Sequence, residues 1–315
     1  MRLKKILCLI LAVLMSVPAL TACDTATPPD TKPSEPATKP SESKPTQPSE
    51  PTQPSEPAQP VIEPLPKDRK YSILFIGNSY TKRYTMATKI FAPMAEAAGY
   101  DVEVKAIVNG GHTLLGFADP NDEFGAQVAE ELGPENYGKY DYVVIQEQSL
   151  RPVEAPELFF DGARALVKMI REAGATPILY SHWGRKTGSP DLIRLKLTNE
   201  SMTWKLAAAG EAIGNELDME VAYVGLAFYD IYTNEPGVEL YDDDLYHPIY
   251  SGSYLVAATI FAKIFGVDPT TVTYAGDMVD LVGMFKILEA AKNAVFYTPE
   301  IPEEYKMTSE GITAQ

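Results

Sequence analysis

The sequence predicts an α/β domain with a parallel sheet covered by helices on both faces. Three observations predict it. From Tyr71 onward, strand-like apolar stretches alternate with stretches of helical spacing, the pattern of crossover-connected parallel strands rather than hairpins. About 250 residues remain in that region, enough for one domain with a large core. The residues that follow four of the strands are polar or glycine-rich, and parallel sheets form their sites at the carboxyl ends of strands.

The elements read in order as follows. Residues 71–76 are an unbroken apolar run that ends at Gly77, a strand of the buried type. Residues 85–98 have helical spacing and stop at Gly99. Residues 101–108 alternate as a strand, and 141–145 form a short apolar one. Residues 156–173 are helical and close at Gly174; 176–180 are a strand; 192–217 read as one long helix; 220–224 are a strand. A helix over 251–265 closes at Gly266, and 277–296 is the last helix.

The N-terminus reads as an export signal over residues 1–22. Arg2, Lys4 and Lys5 precede a short apolar run at 6–17, too short to span a bilayer comfortably. Asp24 to about Lys67 is low-complexity, and Thr-Gln-Pro-Ser-Glu-Pro at 46–51 repeats at once at 52–57. Such composition offers no apolar core and is expected to stay extended and solvated. About 43 residues at ~3.1 Å each reach on the order of 100 Å. The expected organisation is a leader at 1–22, a linker at 23–67, a folded domain at 68–300 and a tail at 301–315.

Composition excludes several function classes. The formal net charge is −16, which argues against nucleic acid and against an anionic membrane surface as direct ligands. The chain has two cysteines, and Cys8 lies within the leader. If Cys23 is modified, no thiol is left for a disulfide framework, a thiolate metal site or a cysteine nucleophile. The three histidines lack metal-ligand spacing, so no metal or other cofactor is expected.

Two motifs carry the chemistry. Gly77-Asn78-Ser79 comes straight after the first strand and before a helix, where glycine permits a sharp turn. Ser79 there is either a helix N-cap or a nucleophile beside free backbone N–H groups. Asp244-Leu-Tyr-His247-Pro opens a C-terminal helix. Its spacing brings a carboxylate to one imidazole nitrogen and leaves the other free, which with Ser79 makes a nucleophile, a base and an orienting acid. The other strand-end sets are Asn109-Gly110-Gly111-His112, Gln146-Glu147-Gln148-Ser149 and Ser181-His182-Trp183-Gly184. His112 is a minor rival base or a pocket-lining group. His182 and Trp183 stand as sugar-facing candidates, Trp183 by stacking unless it is a packed loop residue. Trp204 is expected in the core. The many tyrosines suit either a glycan-binding surface or core filling.

Gly77-Asn78-Ser79-Tyr80-Thr81 and Asp244-x-x-His247 resemble the SGNH (GDSL-like) hydrolase superfamily, in its bacterial form with G-N-S-[FY]-T, over roughly residues 70–268. The resemblance implies a flavodoxin-like three-layer α/β/α sandwich with a parallel five-stranded sheet, and metal-free ester hydrolysis. It implies Ser79 as nucleophile, His247 as base and Asp244 as its partner. It implies an oxyanion hole from the Ser79 backbone N–H and a glycine N–H, Gly111 or else Gly110. The family's third donor is an asparagine; here Gln146 or Gln148 stands in its place. Asn78 replaces the usual aspartate and joins the substrate-facing candidates. Leu20-Thr21-Ala22-Cys23 resembles a bacterial lipobox, which implies lipidation of Cys23 and a domain held at the outer face of the cytoplasmic membrane. The alternative is an ordinary signal peptide or an uncleaved anchor. The function expected is an extracytoplasmic serine esterase acting as a monomer on acylated carbohydrates. A non-catalytic glycan- or solute-binding lipoprotein and a lipid or lysophospholipid esterase are the alternatives.

Overall fold

A computed structural model describes residues 62–314 except 279. The leader, Cys23 and the tandem repeat lie outside the described residues. Five strands form one parallel sheet: β1 (Lys70–Gly77), β2 (Asp101–Val108), β3 (Tyr142–Ile145), β4 (Thr176–Tyr180) and β5 (Glu220–Ala222). Their order is β2-β1-β3-β4-β5. The chain goes from β1 to one side for β2, then returns to the other side for β3. The crevice at this reversal, beyond the carboxyl end of β1, is where such sheets place ligands.

The strand pattern explains the layering. Successive side chains of a strand point to opposite faces, so Ile73 and Phe75 enter one core while Leu74 and Ile76 enter the other. The first core is covered by α2 (Ala92–Ala97), α9 (Val224–Asn234), α10 (Tyr250–Phe265) and α11 (Leu281–Phe296). The second is covered by α3 (Leu114–Ala118), α4 (Glu123–Glu131), α6 (Pro156–Glu172) and α8 (Asn199–Glu216). Strand β2 alternates exposed and half-buried positions, with only Ile107 buried, because it is an edge. Tyr71, Tyr80, Tyr100, Tyr140, Tyr180, Tyr241 and Tyr254 are buried, so many tyrosines fill the core. Among the described residues no helix is long and apolar enough to cross a membrane.

Two helices depart from the sequence pattern. The stretch expected as one helix over 192–217 is two, α7 (Pro190–Leu195) and α8. Lys196 takes a left-handed conformation (φ 55°), and the Thr198 side chain caps α8 by accepting from Ser201 N–H. The stretch expected as helical over 85–98 starts late, because Tyr84 and Thr85 both have positive φ, 52° and 51°. It then winds as a π-turn over Ala87–Phe91 before α2. Pro93 has no N–H to give the Lys89 carbonyl, which accepts instead from the Tyr274 hydroxyl at 3.0 Å.

Both ends of the folded unit extend past the expected limits of 68 and 300. Leu65 N–H donates to Phe265 O at 2.9 Å, and Tyr71 Oη to Pro66 O at 2.8 Å. Beyond residue 300, Ile301 and Ser309 are buried. Arg164 of α6 donates to the carbonyls of Ser309 and Ile312, both at 2.8 Å. Ser309 Oγ donates to Ala212 O of α8 at 3.0 Å, so the tail packs on α6 and α8.

Candidate active site

The turn after β1 is set by Gly77 and Asn78. A β-carbon at Gly77 would lie 2.5 Å from Thr81 Oγ1, so only glycine fits. Asn78, not Ser79, caps the short helix α1 (Ser79–Lys82): its Oδ1 accepts from Tyr80 N–H at 3.4 Å. Its Nδ2 donates to His112 O at 3.2 Å and to Glu147 O at 3.0 Å. Asn78 thus ties the ends of β1, β2 and β3 together. Asn78 lines the cavity, where both of its amide hydrogens are already used within the protein.

The capping duty being taken, the Ser79 hydroxyl is free to meet His247. Ser79 Oγ lies 2.8 Å from His247 Nε2, and His247 Nδ1 lies 2.6 Å from Asp244 Oδ2. With Nδ1–H given to the carboxylate, Nε2 is left as the acceptor for the serine hydroxyl. Asp244 Oδ1 also accepts the backbone N–H of His247 at 2.8 Å and of Tyr246 at 3.1 Å. Burial pushes the Asp244 carboxyl up, but these hydrogen bonds outweigh it and hold the group below its ordinary value. Arg83 adds a cation, 2.9 Å from Asp242 and 3.7 Å from Asp244. Leu245 at φ 68° lets the loop turn back on itself.

Ser79 and His247 open on a cavity of about 360 Å³. It is lined by Asn78, Ser79, Gly110, Gly111, Gln148, Ser149, Arg185, Asp191, Tyr246 and His247, none with an aliphatic side chain. Gly111 has φ +71° and both glycines leave open space where a β-carbon would stand. Gln148 Oε1 accepts from Leu150 N–H at 2.9 Å and Arg151 N–H at 3.0 Å. That leaves its Nε2 as the donor at the cavity.

The remaining sequence candidates are placed elsewhere. Gln146 is buried; its Oε1 accepts from Asn78 N–H and Thr81 Oγ1, both at 3.1 Å, and its Nε2 donates to Glu147 O. It supports the nucleophile turn and does not line the cavity. His112 packs edge-on against Phe117 with Nε2 3.0 Å from Asp122, away from the cavity. His182 is buried with Nε2 2.9 Å from Ser149 O, and burial pushes it down to about 4. Trp183 is fully buried, so it cannot stack on a sugar. It lies between Tyr80 (centroids 4.3 Å apart) and Phe228 (3.8 Å) and donates Nε1–H to Tyr246 O at 3.0 Å. Trp204 is only half-buried and lines a separate groove with Tyr229 and Tyr297.

Sequence reasoning missed Arg185, Asp191 and Tyr246. Arg185 stands one residue past the Ser181–Gly184 set after β4, and Tyr246 sits inside the Asp-x-x-His motif as one of its unspecified positions. Glu147 reads from sequence only as part of a strand-end loop. It is buried, its Oε1 accepts from Leu114 and Gln148 N–H, and burial pushes its carboxyl up to about 7. Among the described residues, no group of three His, Cys, Asp or Glu side chains is placed to hold a metal ion.

Comparison with known proteins places this arrangement on a known fold. No family model and no curated protein matches the chain. Among solved structures, a candidate SGNH hydrolase from Slackia heliotrinireducens is similar, with 28% identity and a TM-score of 0.51 over 60% of this chain and 96% of that one. A DUF4886 family protein from Bacteroides uniformis is similar with 19% identity and a TM-score of 0.62, over 75% of this chain and 98% of that one. The five-stranded all-parallel α/β architecture is that of SGNH-hydrolase-like structures.

Proposed function

We propose that the protein is a serine esterase that cleaves short acyl esters, foremost O-acetyl groups, from carbohydrates. The observation that carries the reading is the hydrogen-bonded line Ser79–His247–Asp244 opening on a cavity. His247 Nε2 takes the proton from Ser79 Oγ as that oxygen attacks the ester carbonyl. The oxyanion is held by the backbone N–H groups of Ser79 and Gly111 and by the Gln148 side-chain amide. His247 then gives its proton to the departing alcohol, leaving an acyl-serine. Water, deprotonated by His247, releases the acid.

The cavity lining supports the substrate class. A long acyl chain gains by burying methylene groups against apolar surface, and none of the lining side chains is aliphatic. A small acyl group and a polyhydroxylated alcohol match such walls, and a lipid ester does not. The Leu-x-Ala-Cys sequence supports lipidation of Cys23 and attachment at the outer face of the cytoplasmic membrane. The long repeat-bearing linker would give reach to polymeric substrates. Likeness to a candidate SGNH hydrolase agrees with ester hydrolysis.

The test is hydrolysis of p-nitrophenyl acetate and p-nitrophenyl octanoate, then of acetylated glycans, by wild type and Ser79→Ala. Faster turnover of the acetate, acetate release from glycans and loss of both in the variant are expected. No hydrolysis of any ester would leave the glycan-binding lipoprotein as the better account.

A further inference from the structure

The cavity has a second side. Arg185 is 3% exposed yet forms part of the cavity wall. Its guanidinium stacks 4.3 Å from the Tyr246 ring centroid and donates to Tyr80 Oη and, at 3.0 Å, to Ser149 Oγ. Its Nε lies 3.2 Å from Asp191 Oδ2, but the N–H is not aligned with that oxygen and has no hydrogen-bond partner. A buried guanidinium N–H without an acceptor is costly. It is tolerated where a ligand supplies the acceptor. Asp191 is partly exposed and lines the same cavity, and its other oxygen is shared with Arg194 at 3.0 Å.

We infer that Arg185 and Asp191 form the alcohol subsite, which takes a sugar ring carrying a free hydroxyl beside the esterified carbon. A hydroxyl both donates and accepts. Asp191 accepts its proton while Arg185 donates to its oxygen, so one side of the cavity reads a hydroxyl in both senses. The charges of the pair offset each other, so the subsite suits a neutral polyol over an anionic one. Gln148 and Ser149 line the same cavity as Ser79. This subsite rests on the esterase reading of the same cavity and assigns its specificity to two residues that the catalytic line does not use.

The experiment compares two acetates of secondary ring alcohols, methyl mono-O-acetyl-β-D-xylopyranoside and cyclohexyl acetate. They differ in the hydroxyls the subsite would read. Wild type should favour the sugar ester in kcat/KM by about tenfold or more, the scale of a hydrogen bond to a charged group. Asp191→Ala should bring the ratio close to one, and the isosteric Asp191→Asn should lower it by less. A wild-type ratio near one, or a ratio that neither variant moves, overturns the subsite. Binding is read without turnover by saturation-transfer NMR on Ser79→Ala with methyl β-D-xylopyranoside. Signal there that Asp191→Ala abolishes supports the subsite; no signal overturns it. If wild type cleaves neither ester and Ser79 takes no fluorophosphonate, the esterase reading has failed, and the binding result decides the subsite by itself.

Discussion

Trp183 and Tyr80 lie ring on ring, with centroids 4.3 Å apart and planes 8° apart. Tyr80 follows Ser79 in the chain, and the same indole donates to the carbonyl of Tyr246, the residue before His247. One buried side chain therefore steadies both partners of the Ser79–His247 hydrogen bond. Trp183→Phe keeps an aromatic ring in the stack and removes the hydrogen bond. It should lower kcat about fivefold with little change in KM, the scale of one ordinary hydrogen bond. Trp183→Ala should destabilise the fold by roughly 3–5 kcal/mol, read by denaturant melting.

Gln146 and Gln148 should behave differently when changed. Gln148→Glu keeps the oxygen that caps residues 150 and 151 but loses the amide donor. It should lower kcat by about a hundredfold while melting stays near wild type, as expected for one lost oxyanion donor. Gln146→Glu turns the donor to the Glu147 carbonyl into a buried carboxylate oxygen and should show up as lost stability. Equal stability losses in the two variants would contradict the assignment of Gln148 to the oxyanion.

Arg83 stands beside Asp242 and Asp244. Removing it by Arg83→Gln takes a cation away from the carboxylate that partners His247. The turn that carries His247 then loses its cation, and kcat/KM should fall by about twofold, the scale of a partly exposed ion pair. Arg83 is partly exposed, and salt screens such pairs. The loss should shrink in 1 M salt, about the strength at which the Debye length falls to ~3 Å.

Much of this site was legible in sequence because its spacing is local. Gly77-Asn78-Ser79 and Asp244-x-x-His247 are short segments whose geometry follows from a strand end and a single turn. The parallel sheet was legible because buried strands read as apolar runs. The roles of Asn78, Gln146, His182 and Trp183 were not legible, because each depends on which strand ends the fold brings together. Nothing in the sequence tells a buried histidine from one facing a substrate. The break in the helix at Lys196 was hidden because the apolar spacing continues across it. Arg185 escaped notice because its partners Tyr80, Ser149 and Asp191 are assembled only in three dimensions.

Glu147 and His182 should pull stability in opposite directions with pH. Glu147 has a folded value of about 7, above its ordinary 4.5. Its contribution is full below about pH 4.5 and is lost as pH rises through 7, roughly 3 kcal/mol in all. His182 has a folded value of about 4, below its ordinary 6.5, so its contribution is present above 6.5 and lost as pH falls toward 4. Glu147→Gln removes only the first effect. The melting temperature of the variant should gain on wild type between about pH 5 and pH 8. A constant difference across that range would contradict a buried, neutral-favouring Glu147.

The central claim is that Ser79 is a nucleophile activated by His247. The most direct measurement is labelling of the intact protein with a fluorophosphonate probe, followed by mass spectrometry of the modified peptide. The account predicts a single adduct on Ser79, absent in Ser79→Ala and strongly slowed in His247→Ala. An unlabelled wild-type protein, or equal labelling of Ser79→Ala, would contradict it.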